Sequence, residues 1–136
     1  MDSAAGIVFR RLDAADEQRR ATSLLTACGS RADDPATVWY GLCDLTVAEV
    51  DGLAGVVTVC PIGPRTVRLG ALAVPVAYRG RGLGRRLLGE MADRLRASGV
   101  EQIVAPAVSD RHLAAVLDRA GFVARPQGRG DRWLLL

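Results

Sequence analysis

The sequence predicts an α/β domain in which helices flank a mixed β-sheet. Short apolar, β-prone runs alternate with longer stretches whose apolar residues recur at helical spacing. Some of the apolar runs are separated only by turn residues, which is typical of antiparallel hairpins. A chain of 136 residues is long enough to bury one core, so a single domain over 1–136 is expected.

The N-terminal part predicts a strand, a helix and a hairpin. The run at 7–12 is β-prone, and helical spacing over 13–29 predicts a helix that a glycine ends. The segment 36–44 is compatible with either a strand or a short helix. Within 45–60, the Asp-Gly pair at 51–52 separates two β-branched runs and predicts a hairpin with a two-residue turn.

The rest of the chain predicts two strands, two helices and a terminal hairpin. In order, these are a strand at 66–74, a helix at 83–97, a strand at 101–108, a helix at 111–120 and a hairpin at 122–136. Gly70 inside the first of these strands indicates a β-bulge or a close backbone approach. Because hairpins and helical crossovers both occur, the sheet should contain antiparallel and parallel pairs.

Composition disfavours several classes of function. The net charge is +3, and acidic residues are spread along the chain, so no nucleic-acid partner is expected. No apolar run approaches the roughly 18–20 residues of a membrane span, and the N-terminus lacks the pattern of an export signal. The three cysteines lie far apart without CxxC spacing, which favours neither disulfides nor a metal site. A cytoplasmic protein without membrane or metal is therefore expected.

One local cluster, "RGRGLGRR" at 79–86, contains four of the arginines and three glycines. A strand that enters a glycine-rich loop and then a helix exposes unpaired backbone N–H groups, and the helix macrodipole favours negative charge there. The glycines allow a close approach of the backbone, and the first two arginines can add charge-assisted hydrogen bonds. The loop lacks the Lys-Ser or Lys-Thr ending of a nucleotide-binding P-loop. It predicts a pyrophosphate site; the alternative is a tight turn with solvated arginines.

The segment "LGALAVPVAYRGRGLGRRLL" closely resembles the signature of the GNAT family of N-acetyltransferases. The family motif is Arg or Gln, two residues, Gly, one residue, then Gly or Ala, and Arg79, Gly82 and Gly84 occupy its positions. The resemblance extends to the preceding hairpin and to "RAGF" near the C-terminus, and so covers most of 45–125. It implies a mixed, splayed sheet with acetyl-CoA between the fourth and fifth strands.

The resemblance also implies which residues hold acetyl-CoA. The pantetheine arm would pair with the backbone of the fourth strand, at Leu72, Ala73 and Val74. Asp110 stands where relatives often have an asparagine that contacts the cofactor, and it could also cap a helix. The pyrophosphate would bind the loop residues Arg79, Gly80, Arg81, Gly82, Leu83 and Gly84.

The catalytic acid that the family commonly uses is missing from this chain. Many members place a tyrosine four residues before the Gly-Phe pair, and Leu117, which has no proton to donate, stands there. Ser109 and His112 near the start of that helix are candidates for acting near the acyl group; a surface or cap role is the alternative for His112. Glu49 on the hairpin is the candidate base.

Three residues are candidates for binding the acceptor. Some relatives carry a glutamate on the fourth strand eleven residues before the motif, and Arg68 stands there. Arginine cannot accept a proton but binds carboxylates bidentately, so Arg68 suggests an acidic or amino-acid-like acceptor. The alternative is an exposed strand arginine paired with a neighbour. Trp39 and Tyr40 lie where relatives build their acceptor pocket, and they either line it or belong to the core.

Together these residues predict an N-acetyltransferase that moves an acetyl group from acetyl-CoA directly to an amine of a small molecule or peptide. The alternative is an acetyl-CoA-binding regulator with weak or no catalysis, which Leu117 permits. The C-terminal run "WLLL" could pair across a homodimer.

Overall fold

The computed structural model describes residues 6–27, 36–46, 52–106, 111–124 and 130–136. The described elements, in chain order, are β1 (Ile7–Arg11), α1 (Ala15–Ala27), β2 (Val38–Asp44), β3 (Leu53–Pro61), β4 (Thr66–Ala73), α2 (Leu83–Ala97), β5 (Gln102–Ala105), α3 (Arg111–Arg119), β6 (Val123–Ala124) and β7 (Arg132–Leu135). A short 3-10 turn, Val76–Tyr78, follows β4. Within these ranges no helix is long and apolar enough to cross a bilayer.

The strands form one sheet in the order β1-β2-β3-β4-β5-β7-β6. The β4–β5 pair is parallel and every other described pair is antiparallel, so the mixed sheet is confirmed. The predicted terminal hairpin is also confirmed, with β7 between β5 and β6. The C-terminal strand, for which pairing across a homodimer was one possibility, therefore has a partner within its own chain on each side.

The two faces of the sheet are buried by different helices. We call them the α2 face, on which α2 and α3 pack, and the α1 face, on which α1 packs. The core of the α2 face includes Val57, Val59, Leu69, Leu87, Leu88, Met91 and Leu117. The core of the α1 face includes Leu25, Val56, Ala71 and Ala73. Burial of each Leu or Met side chain contributes about 1.5–3 kcal/mol, so these clusters hold the helices against the sheet.

The hairpin that contains β3 differs from its prediction. The segment at 36–44 contributes a strand, β2, and this strand, not 45–50, pairs with β3. The Asp44 N–H donates to the Gly52 carbonyl at 2.6 Å, so the connection is longer than the expected two-residue turn. The turn prediction was wrong because burial of large side chains in β2 fixes the strand, and this outweighs the local Asp-Gly signal.

Gly70 lies at a β-bulge, as predicted. Thr58 pairs with Ala71 and Val59 pairs with Leu69, which leaves Gly70 as the extra residue in β4. The close approach is also present, because a Cβ atom built on Gly70 would lie 2.6 Å from Oγ1 of Thr58. Any side chain at this position would therefore collide with the neighbouring strand.

Candidate functional site

A gap opens between β4 and β5. The two strands pair only over Thr66, Val67 and Arg68, whereas the remainder of β4, 69–73, pairs with β3 alone. Along that remainder, the β4 backbone has no strand partner on the β5 side within the described residues. An unpaired strand edge is a template for an extended ligand with amide groups. The predicted splay of the sheet is thus present, with its closed end at Arg68.

The glycine-rich loop lies beyond the open end of this gap. Gly80 and Gly82 have φ values of 80° and 72°, which are left-handed conformations that side chains other than glycine adopt only with strain. A Cβ atom on either glycine would meet no atom within 4 Å. The loop therefore presents its backbone to open space. Gly84 differs, because a Cβ there would lie 3.5 Å from Cγ1 of Val116, so this glycine permits close packing of α2 on α3.

The first turn of α2 has free backbone donors. Gly82 is the N-cap and supplies no capping side chain, and no acidic side chain lies in the first turn. The Arg86 N–H donates to the Gly82 carbonyl at 3.0 Å, which is the first helical hydrogen bond. The N–H groups before Arg86 in this turn therefore lack intrahelical acceptors. Together with the helix dipole they form a favourable place for an anion.

Two arginines of the basic cluster hold the loop and the helix in place. The Arg79 Nε–H donates to the Val74 carbonyl at 2.9 Å, across the turn that leads into the loop. Arg86 donates from Nε to Glu90 Oε2 at 3.0 Å and from Nη2 to the Ile7 carbonyl at 2.7 Å. Arg86 thus ties α2 to β1 and has a structural role.

A tether between the loop and the end of β2 was not foreseen from the sequence. The Tyr78 hydroxyl donates to Asp44 Oδ2 at 2.8 Å, and the guanidinium of Arg81 lies 5.5 Å from the centre of the Tyr78 ring. Hydrogen bonds from the Thr46 hydroxyl and from Tyr78 lower the pKa of Asp44, and the bond to Asp44 raises the pKa of Tyr78. Because Asp44 and Tyr78 are 34 positions apart, no local sequence pattern could indicate this contact.

The closed end of the gap carries polar groups on the α1 face. Arg68 is exposed there, and its cross-strand neighbours, Cys60 on β3 and Val104 on β5, are buried. Thr58 lies on the same face beside the bulge at Gly70 and is 1% exposed. The structure thus brings Arg68 to the gap, at the end opposite the glycine-rich loop.

The other predicted acceptor residues do not share one pocket. Because neighbouring residues of a strand point to opposite faces, Trp39 packs in the α1-face core and Tyr40 in the α2-face core. Tyr40 stacks on Phe9 with ring centres 5.4 Å apart, and burial raises its pKa. Both side chains are less than 10% exposed, so the core alternative describes them better than a joint binding role.

The predicted catalytic and cofactor residues near α3 are only partly described. His112 is exposed in the first turn of α3, whereas Leu117 is fully buried in the α2-face core. Glu49, Ser109 and Asp110 lie outside the described residues. The position at which many relatives have a tyrosine is therefore filled by a side chain that packs the core and cannot donate a proton.

Comparisons with known proteins agree with this architecture. Residues 10–122 match the model of the Acetyltransferase (GNAT) family. No curated protein sequence matches the chain significantly. An acetyltransferase of the GNAT family from Staphylococcus aureus superposes with a TM-score of 0.76 at 10% identity, over 96% of this chain and 99% of that chain.

Two further solved structures are similar. A point variant of the spermidine N-acetyltransferase from Vibrio cholerae has a TM-score of 0.74 at 16% identity, over 96% of this chain and 94% of that chain. A Bacillus subtilis acetyltransferase in complex with CoA has a TM-score of 0.69 at 17% identity, over 96% of this chain and 99% of that chain. At these identities the likeness is one of fold.

Proposed function

Because this chain belongs to the GNAT acetyltransferase family, we propose that it is an acetyl-CoA-dependent N-acetyltransferase acting on an amine of a small molecule or peptide. The observation that carries the proposal is the combination of an unpaired β4 edge with a glycine-rich helix N-terminus at its open end. The edge suits an extended amide-bearing ligand, and the helix start suits its anionic end.

The residues of the loop fit the pyrophosphate of acetyl-CoA. Open space lies beside Gly80 and Gly82, where a Cβ atom would touch nothing, so a phosphate can approach the backbone closely. The backbone N–H of Arg79 already donates to the Val76 carbonyl at 3.2 Å, so the N–H groups from Gly80 to Gly84 would donate to the phosphate. The guanidinium of Arg81 lies on the same loop. No acidic side chain in the first turn of α2 opposes the charge.

The strand residues fit the pantetheine arm. Leu72, Ala73 and Val74 lead from the gap towards the loop, and the first two pair only with β3. Their N–H and C=O groups on the β5 side would pair with the amides of the arm. When bound, acetyl-CoA supplies an acetyl group activated as a thioester.

An acceptor amine must lose its proton before it can attack, since on the order of one part in a thousand of an alkylamine is neutral at pH 7. Glu49, Ser109 and His112 are the proposed groups for moving this proton; His112 is exposed at the start of α3. Leu117 gives no acid for the departing sulfur. A thiol with a pKa near 8.5 leaves without obligatory protonation, so water can fill this role. Transfer is therefore proposed to be direct, from donor to amine.

A second candidate function is an acetyl-CoA-binding regulator. The full burial of Leu117 favours it, because the side chain at the usual acid position serves the core. Such a protein would bind acetyl-CoA tightly and release no CoA with any amine.

The test combines calorimetric titration of acetyl-CoA with release of free thiol across a library of amines. Binding at 100 times Kd should stabilise the fold by about 2.7 kcal/mol, which a thermal melt detects. Amine-dependent thiol release supports the enzyme, and binding without release supports the regulator. If acetyl-CoA produces no heat and no shift in melting temperature, both the enzyme and the regulator are contradicted.

A further inference from the structure

The guanidinium of Arg68 is an unmatched positive charge at the closed end of the gap. Arg68 is the last β4 residue that pairs with β5, and it is exposed. Across the strands its neighbours are Cys60 and Val104, both apolar in character and buried. No ion pair or hydrogen bond to its side chain occurs within the described residues.

Two arginines that flank the sheet differ from Arg68 in this respect. Arg65, three positions earlier, donates from Nη1 to Glu101 Oε1 at 2.7 Å, and Arg132 donates from Nε to Asp118 at 2.8 Å. Each of these two arginines is thus matched by a carboxylate. Arg68 instead has two buried, apolar cross-strand neighbours. A charge without a partner in such surroundings gains most from an incoming anion.

The side chain of Arg68 lies on the face of the sheet opposite the one that α2 covers. Its neighbours Val67 and Leu69 pack in the α2-face core, so Arg68 points to the α1 face. Helix α1 packs in one cluster with Ala71 and Ala73, whereas Arg68 is exposed. The loop that leads into α2 follows the other end of β4, so a second ligand can reach Arg68 without displacing the first.

A second polar group lies on the same face. Oγ1 of Thr58 is buried and has no hydrogen-bond partner among the described residues. Thr58 pairs with Ala71, and Cys60, two residues further along β3, pairs with Arg68. An unpaired hydroxyl and an unpaired guanidinium thus lie on either side of the Gly70 bulge. The buried Thr58 hydroxyl is costly without a partner, whereas the exposed Arg68 guanidinium exchanges water for an incoming anion.

From this arrangement we infer that Arg68 binds a carboxylate of the acceptor, which makes the acceptor an amine that also carries a carboxylate, as an amino acid does. The inference rests on the proposed acetyltransferase function. A planar guanidinium takes a carboxylate through two parallel N–H···O bonds, so it selects geometry as well as charge. An acceptor held in this way would present its amine from the α1 face.

The experiment compares carboxylate ligands with their amides. N-acetyl amino acids and the matching N-acetyl amino acid amides are titrated calorimetrically into the protein, with and without CoA, and the parent amines are assayed as substrates. We expect the acids to bind about tenfold or more tightly than the amides, since a bond between charged groups is lost in the amide. Arg68→Met should abolish this preference and leave the CoA affinity unchanged, and Arg68→Lys should restore part of it. Arg65→Met is the matched control and should behave as the unsubstituted protein.

Equal affinity for acids and amides would overturn the inference, as would a preference that survives in Arg68→Met. Absence of any binding by the acids overturns it too. These results are separable from a failure of the proposed function. Arg68-dependent binding of acids in a protein that binds no CoA would support the carboxylate site and contradict the acetyltransferase. CoA binding with equal turnover of amides and acids would support the acetyltransferase and contradict the carboxylate site.

Discussion

Two glycines at the two ends of the gap, Gly70 and Gly82, are required for opposite reasons. Gly70 does not have a positive φ, but a Cβ atom there would lie 2.6 Å from the Thr58 hydroxyl oxygen. Gly82 has a φ of 72°, and a Cβ atom there would meet nothing within 4 Å. The first position forbids a side chain because the protein fills the space, and the second because the backbone needs the conformation.

The contrast separates packing from ligand binding. Space that the fold itself occupies, as at Gly70, serves stability and the shape of β4. Space that stays open beside a backbone conformation that only glycine adopts without strain, as at Gly82, adds no packing to the fold and is available to a ligand. Substitutions at the two glycines should therefore affect different measurements.

The largest effect is expected for Gly82→Val. A β-branched residue at a positive φ costs about 1–2 kcal/mol or more, and its methyl groups would fill the space proposed for the pyrophosphate. Gly99→Val is the matched control, because Gly99 has a φ of 95° and open surroundings at the far end of α2. The melting temperatures of both variants should fall by similar amounts. Only Gly82→Val should fail to bind acetyl-CoA in calorimetric titrations. Retained affinity in Gly82→Val would count against the loop as the phosphate site.

A smaller effect, on stability rather than binding, is expected for Gly70→Ala. Overpacking of this kind costs about 1–3 kcal/mol, here through the clash with Oγ1 of Thr58. The next contacts, the Thr58 carbonyl oxygen at 3.4 Å and Cβ at 3.7 Å, are ordinary. Thr58→Ala removes the clashing atom, so the double variant should lose less free energy of unfolding than the two single variants summed. Additive losses from denaturant unfolding would show that the clash is relieved elsewhere.

The sequence predicted the elements whose signals are local. Helical spacing predicted α2 and its end at Ala97, and two of the three loop glycines, Gly80 and Gly82, have positive φ values. The sequence could not distinguish a strand from a short helix at β2, because large apolar residues there are buried on both faces and show no alternation. With that strand undecided, the opposite orientations of Trp39 and Tyr40 could not be deduced either.

The site was predictable only where it is built from consecutive residues. The loop at 79–84 and its helix form one continuous stretch, whereas Arg86 reaches the carbonyl of Ile7, 79 positions away. Tertiary contacts of this kind depend on the sheet order, which periodicity does not reveal. The family resemblance identified Arg68 from its spacing to the motif. Its buried, apolar cross-strand neighbours became visible only with the registers of β3, β4 and β5.

The smallest effect is expected for Tyr78→Phe, which removes the tether between the loop and β2 but keeps the ring beneath Arg81. We expect a several-fold weaker affinity for acetyl-CoA and little change in stability, since the tether is near the surface. Tyr40→Phe removes a hydroxyl far from the loop, beside Phe9, and should leave the affinity unchanged.

The tether also predicts where pH matters. Asp44 has a pKa below its ordinary 3.8, so its contribution is present above that value and is lost as pH falls through the lower, folded pKa. Tyr78 has a pKa above its ordinary 10.0, so its contribution is present below that value and is lost as pH rises through the higher, folded pKa. The difference in affinity between Tyr78→Phe and the unsubstituted protein should therefore be constant from about pH 5 to 9. A difference that changes within this window would mean that another titrating group, not the Asp44–Tyr78 hydrogen bond, links the loop to β2.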